Sequence, residues 1–431
     1  MRIHLLMLFA ALALSAAPPV AKSLPDLRAQ AEEGDAAAQY DLGLRYAKGE
    51  GMAKNAIEAT NWLLKAAQQG HVEAQKKLGM CHLLGDGVPK DAAIAIQWLR
   101  KAAEQENVAA MKQLGACYTL GSDIPKDPAE GAKWFRQAAE HGDSDSQMEL
   151  GLAYFDGEGV TQDVREAMKW FGKAAEQGDI NAQKILGTTY ALGERIPQDL
   201  KEAMKWFRKA AENGDPEAQV KLGLAYSVGG GVPQDLKQAI RWLRKAVDQG
   251  YAPAQVEMGV SYMIGSGVPV DPVQAVQWFR KAAEQGDTDA QTKLGAAFNT
   301  GTGVEKNAAE AVLWYRKAAD QNFAPAQVAL GGCYLNGEGV TQDLEEAVRR
   351  FRIAAEQGDP NGQFALSLQY ERGGGVSQNL TEALKWCRLA VAQGHEIAEA
   401  HQATLEASMT REQIIEGVRL SREWKPVKTA K

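Results

Sequence analysis

Trp62, Trp98, Trp134, Trp170, Trp206, Trp242, Trp278 and Trp314 stand 36 residues apart; the next place holds Arg350, and Trp386 resumes the series. A glycine column keeps the same period without a gap, from Gly49, Gly85 and Gly121 to Gly373. A period held through ten copies with no insertion or deletion means one small unit repeated in tandem. It restricts the chain to architectures in which each unit packs on its neighbours. The 431 residues therefore read as one array rather than two or three unrelated globular domains.

Residues 143–178 show what the unit is. Ser146, Leu150 and Tyr154 mark one face of a helix, and Gly157 beyond them can end that helix in the left-handed conformation without strain. Ala38, Ala74, Ala182 and Ala218 take the Ser146 place elsewhere, and with Gly151 these small residues predict two closely approaching helices. Asp163 and Glu166 predict a capping box that opens the second helix, each side chain serving an orphan amide. The same signature recurs as Asn55/Glu58, Asp127/Glu130, Asp199/Glu202, Asp235/Gln238, Asp271/Gln274, Asn307/Glu310, Asp343/Glu346 and Asn379/Glu382. Asp91, followed by Ile94, lacks the partner. Ala167, Trp170, Ala174 and Ala175 form the second apolar stripe, and Gly178 stops it. Gly157-Glu158-Gly159-Val160 is not a phosphate loop: it follows a helix, lacks the lysine and recurs through the repeats. It reads as a helix cap and turn.

Residues 218 to 250 nearly spell Ala-Gln-x-x-Leu-Gly-x-x-Tyr-x-x-Gly-x-Gly-Val-x-x-Asp-x-x-x-Ala-x-x-Trp-x-x-Lys-Ala-Ala-Glu-x-Gly. Over about residues 30 to 407 the chain resembles the Sel-one-like repeat (SLR) family, a relative of the tetratricopeptide repeat. The resemblance implies an all-α fold: a right-handed α/α superhelical solenoid of about ten 36-residue helix-turn-helix repeats. Its first helices would line a concave surface used for protein–protein contacts. It also implies that a bacterial member is often exported, while one eukaryotic branch works as an adaptor in endoplasmic-reticulum degradation. Cysteine-rich relatives, with a cysteine pair in each repeat, have been linked to penicillin binding or hydrolysis. Here cysteine is sporadic, and no Ser-x-x-Lys occurs.

The ends differ from the array. Arg2 and His4, the apolar run Leu5 to Ala17 and the small residues after it have the layout of a secretory signal peptide over residues 1–22. Cleavage between Ala16 and Ser23 would send the protein to the periplasm or outside a bacterial cell; an uncleaved anchor is the other reading. The run is short for a permanent span, and no later stretch is long and apolar enough for one. Residues 23–34 are expected to form an N-terminal capping helix and 35–407 the tandem repeats. A C-terminal capping helix follows over 408–424, opened by Thr410 and Gln413, and 425–431 form a basic disordered tail. A solenoid needs such caps because its last repeat would otherwise expose an apolar side.

The sequence offers little chemistry. A net charge of −7 without a basic cluster speaks against nucleic acid as a partner. Cys81, Cys117 and Cys333 share a column, and equivalent positions on neighbouring repeats stand too far apart for a disulfide. With Cys387 they read as small thiols. His82 replaces the repeat tyrosine and reads as packing. His395-Glu396 lacks the second histidine of a zinc-protease helix, since position 399 is Glu399. No catalytic, cofactor-binding or metal-binding set can be assembled. Departures from the repeat gather at Arg350, Ile353, Gly362 and Ser367, a bend, a docking spot or drift in one copy. On the first helix, the columns opposite the packing stripe vary between copies. Tyr40, Leu83, Met148, Phe155, Met263 and Phe364 are the candidate partner-binding residues there. The sequence-based reading is an exported, noncatalytic scaffold that binds a protein or peptide through its concave face. The alternatives are an exported β-lactam-interacting enzyme and an intracellular adaptor with an uncleaved N-terminus.

Overall fold

A computed structural model describes residues 23–121 and 124–426. The expected signal peptide lies outside the described residues, as does the expected tail beyond Lys425 and Pro426. Among the described residues there are 23 helices and no strand. The lone helix α1 (Leu24–Glu32) precedes ten pairs, each a first and a second helix. These are α2 (Ala36–Lys48) and α3 (Ala56–Gln68), α4 (Val72–Leu84) and α5 (Ala92–Ala103), α6 (Val108–Leu120) and α7 (Pro128–Glu140), α8 (Ser144–Asp156) and α9 (Val164–Glu176), and α10 (Ile180–Leu192) and α11 (Leu200–Glu212). Then come α12 (Pro216–Val228) and α13 (Leu236–Asp248), α14 (Ala252–Ile264) and α15 (Pro272–Glu284), α16 (Thr288–Thr300) and α17 (Ala308–Asp320), α18 (Ala324–Asn336) and α19 (Leu344–Glu356), and α20 (Pro360–Arg372) and α21 (Leu380–Val391). The order ends with α22 (Glu396–Ala407) and α23 (Arg411–Glu423). The described residues form two compact units, which divide between Leu186 and Gly187. Within a unit, a first helix packs on its own second helix, as α8 on α9, and a second helix packs on the next first helix, as α15 on α16.

Local chemistry sets the helix ends. Gly157 ends α8 at φ +78°, its N–H bonded to the Ala153 carbonyl at 2.9 Å. Asp163 opens α9 by accepting from the Glu166 N–H at 3.0 Å. The capping boxes are otherwise only half made. Among the described residues the reciprocal bond is recorded at Thr410 and Gln413. The reason is that the cap residue's own amide is already taken. The Asp163 N–H donates to the Tyr154 carbonyl at 2.9 Å, and Asp127, Asp199 and Asn379 bond to Tyr118, Tyr190 and Tyr370 in the same way. This bond closes the loop between the two helices of a repeat, and it frees the acidic side chain for other work. Asp91 caps Ile94 at 2.9 Å without any acidic partner.

The second helix approaches the first because the first has no side chain where they cross. A Cβ on Gly151 would lie 2.5 Å from the Phe171 ring, which is fully buried. The second loop glycine docks on the preceding repeat: a Cβ on Gly159 would sit 2.1 Å from the Pro128 carbonyl oxygen, at the start of α7. Where the helix glycine is replaced, its partner changes too. Ser367 donates to the Ala383 carbonyl at 2.7 Å, and the aromatic place opposite holds the smaller, fully buried Cys387.

A buried polar thread accompanies this packing, and the sequence reading missed it. Gln147 on α8 donates to the Ala139 carbonyl in the last turn of α7 at 3.1 Å, beside the bond that this carbonyl accepts from the Gly142 N–H. Its own oxygen accepts from Gln177, just past the end of α9, at 2.8 Å. Gln39/Gln69, Gln75/Gln105, Gln219/Gln249, Gln291/Gln321 and Gln363/Gln393 repeat the link. One amide thus ties three helices.

The ends of the array are covered. Leu27 and Ala31 of α1 are buried against α2. Only Ser408–Thr410 separate α22 from α23, where residues 373–379 separate α20 from α21, and α23 turns back onto α21. There Gly417 meets Leu384, and Trp424 stands edge-on to Trp386 at 5.8 Å.

Two stability measurements test this account. Glu106 occupies, at φ +63°, the turn position that Gly142 and Gly178 hold in other copies. Glu106→Gly is expected to stabilise urea unfolding by about 0.5–1 kcal/mol, the left-handed strain less the entropy of glycine. In a double-mutant cycle, Ser367→Gly and Cys387→Phe are each expected to destabilise. Together they are expected to recover at least about 1 kcal/mol of coupling.

Candidate interaction surface

The tryptophan series lies inside the repeat packing. Most of these indoles are buried, Trp98 and Trp278 partly so. In seven of the ten repeats the lysine three residues on covers the ring face, 3.6 to 4.3 Å from its centroid. The acid one turn earlier can take the indole N–H, as Glu130 does from Trp134 at 3.1 Å and Glu310 from Trp314 at 3.0 Å. Arg350 keeps that bond in another form, donating Nε to Glu346 Oε1 at 2.6 Å, with Glu346 7% exposed. Its Nη1 also donates to Gln327 Oε1 at 3.3 Å, while Gln357, the residue that would continue the glutamine thread, donates to Asn322 at 3.0 Å. A lysine at position 353 would face a guanidinium instead of a ring, and Ile353 stands there. Gly362 faces Ala354, the same alanine that alanine or serine faces in the other copies, and nothing in the structure explains its replacement. The changes at Arg350, Ile353 and Ser367 are matched by their partners.

The four cysteines, with His71 and His395, sit within the repeat packing. The thiols of Cys333 and Cys387 are buried, and burial pushes both up to about 11. Burial raises the Cys81 thiol as well, and Gln113 donates to the Cys117 sulfur at 3.9 Å. His71 and His395 are helix caps whose Nδ1 accepts from the Ala74 and Ala398 amides at 3.2 and 3.0 Å. Protonated thiols of this kind are poor nucleophiles.

The first helices carry the variable face. Tyr40, Leu83, Met148, Phe155, Met263 and Phe364 lie on α2, α4, α8, α8, α14 and α20, all half-buried. The Tyr40 ring stacks on His71 at 4.7 Å, and Phe364 tilts over His395 at 4.8 Å, so this column packs against the cap of the next first helix. Phe155 meets Phe171 at 6.1 Å, while Leu83 and Met263 border the cores of neighbouring repeats. The structure does not gather the six into one pocket; Met148 lines a groove between α6 and α8.

A more exposed row was not singled out from the sequence. In five of the ten repeats the last residue of the first helix, just before its glycine cap, is aliphatic: Leu84 and Leu120 in the first unit, Leu192, Val228 and Ile264 in the second; elsewhere it is Lys48, Asp156, Thr300, Asn336 or Arg372. The five aliphatic side chains are 59 to 76% exposed. The signal was readable: an aliphatic column at the helix end has no place on the packing stripe, so the fold does not require it.

The Sel1 repeat family profile matches ten abutting segments, from residues 36–71 to 360–395. Among solved structures, the chain is similar to a protective antigen of uropathogenic Escherichia coli that displays an SLR fold. Identity there is 33% over 94% of both chains, with a TM-score of 0.61. It is also similar to a Sel1 repeat protein from Oxalobacter formigenes, at 35% identity over 72% of this chain and 90% of that one, with a TM-score of 0.63. No curated protein sequence matches.

The compensation at Arg350 makes a prediction for urea unfolding. Arg350→Ala is expected to cost about 2 kcal/mol, because it leaves the buried Glu346 carboxylate with Arg349 alone. Arg350→Trp is expected to stay within about 1 kcal/mol of the parent, since an indole N–H can serve the same carboxylate.

Proposed function

The chain belongs to the Sel1 repeat family, a fold for protein–protein interaction, and on that premise we propose that it is an exported, noncatalytic scaffold holding a protein or peptide on the concave face of its first helices. The observation that carries this reading is the row of exposed aliphatic side chains at the first-helix ends. Large apolar groups at positions the fold leaves free gain most by covering against a partner. Tyr40, Leu83, Met148, Phe155, Met263 and Phe364 border the face and offer a partner the part of each side chain that neighbours leave open. Export to the periplasm or beyond is supported by the Arg2-to-Ala17 segment, and it suits the protective-antigen role of the E. coli relative. A noncatalytic role fits the buried, protonated thiols and the capping histidines.

Affinity capture from envelope extract tests the reading, with the full-length chain as bait. The parent is expected to retain a defined partner. Val228→Glu with Ile264→Glu is expected to reduce that capture at least about tenfold, as charge insertion at a contact centre does, with an unchanged melting temperature. Undiminished capture by the folded variant would reject the row as the contact face, and a mature chain still beginning at Met1 would reject export.

A further inference from the structure

The repeat formed by α6 and α7 is under-filled compared with its neighbours. Ala116 stands where Leu44, Leu152 and Leu224 stand in other copies, and Ala132 stands where Met168, Met204 and Ile240 do. Gly131, where other copies have alanine, opens no space, since Thr119 fills it: a Cβ there would lie 2.4 Å from the Thr119 hydroxyl. The side chains missing at Ala116 and Ala132 leave two adjoining grooves of about 510 and 170 Å³ on the first-helix face, with Thr119, Phe135 and Glu149 common to both.

The grooves have an apolar floor and an acidic wall. Phe135, Met148 and Leu152 supply the floor. Asp145, Glu149, Asp156, Glu158 and Asp179 line the wall beside the cation Lys112, and Glu158 is paired with Lys126 outside the grooves at 2.6 Å. Lys112 is already neutralised, by Asp145 at 2.7 Å and Asp143 at 3.2 Å. Glu149 has no such match: it remains accessible to solvent, and its own walls and the nearby Asp145 charge push its carboxyl pKa up. Like charges held close together in a partly dry groove are relieved by an incoming cation. A lysine or arginine also has an apolar stem that can lie on an aromatic and thioether floor while its head reaches a carboxylate.

We propose that this groove binds a peptide segment of the partner in which a lysine or arginine adjoins an aliphatic side chain, with the cation on Glu149 and the aliphatic group over Phe135 and Met148. The inference rests on the scaffold reading. It adds to that reading the chemistry of one contact: basic and apolar, not acidic and not a phosphate backbone.

The test is fluorescence anisotropy on the full-length chain. The probe is a labelled, acetylated Leu-Lys-Ala-Leu-Lys-Ala peptide, with a glutamate-for-lysine peptide as its counterpart. The lysine peptide is expected to saturate and the glutamate peptide not to bind. Glu149→Gln is expected to weaken binding at least about fivefold, while Glu176→Gln, an exposed charge on α9, leaves it unchanged. The double variant Ala116→Leu with Ala132→Met restores the side chains of the other repeats. It is expected to melt no lower than the parent and to lose binding at least about tenfold. Absence of saturable lysine-peptide binding up to about 1 mM overturns the proposal, as does equal binding of the glutamate peptide or by the filled variant. If the filled variant does not fold, the Glu149→Gln comparison decides alone. Val228 and Ile264 lie outside the unit that holds this groove. Failure here with envelope capture intact would therefore sink the groove and spare the scaffold.

Discussion

The approach of two helix backbones at a position without a β-carbon is the contact on which nine of the ten repeats depend. Gly151 admits the Phe171 ring, and Gly295 admits that of Tyr315, each at a distance that a methyl group would forbid. Once the helices cross there, the cap amide of the second helix falls within reach of a tyrosine carbonyl on the first, and the loop closes. The second loop glycine then finds the start of the preceding second helix. Stability in such a stack is mostly a sum of contacts inside a repeat and with its neighbour. Copies can therefore drift where both sides of a contact move together, as Ser367 with Cys387 and Arg350 with Ile353 show.

Much of this was legible in the sequence, because periodicity reports directly on packing. The helix pairs, the glycine ends and the buried tryptophans follow from residues that recur at one spacing. The capping boxes were read only in part, since Asp163 and Glu166 reveal a local preference and not the Tyr154 carbonyl that satisfies the amide first. The glutamine thread stood in the repeat motif, yet its meaning depends on which carbonyl ends up a helix away. Surface residues were harder still. Tyr40 and Phe364 appear free on a helical wheel but are covered by a cap residue of the next repeat, His71 or His395. The Ala116 and Ala132 groove becomes visible only when it is known that these two columns meet.

Within each repeat the division of labour is sharp. Columns facing the second helix and the neighbouring repeat are fixed by volume and by hydrogen bonding. Those at the first-helix end answer to no internal requirement. Val228, Leu120, Leu84 and Ile264 are the most exposed large apolar side chains among the described residues, and they end helices whose inner faces hardly vary. A Sel1 repeat chain can thus change what it holds without changing what it is.

The buried glutamines also explain why the copies never change length. Each amide gives its hydrogens to the helix before it and has its oxygen held by the helix after it, as Gln147 does between Ala139 and Gln177. Adding or deleting a whole unit away from Met111 and Arg350, where the thread is interrupted, reconnects each donor to an equivalent acceptor. Adding or deleting part of one strands a polar group in the dry interior, at a cost of about 1–3 kcal/mol for each. The thread is in this sense a ruler: it lets the array grow or shrink by whole repeats and resists any other step.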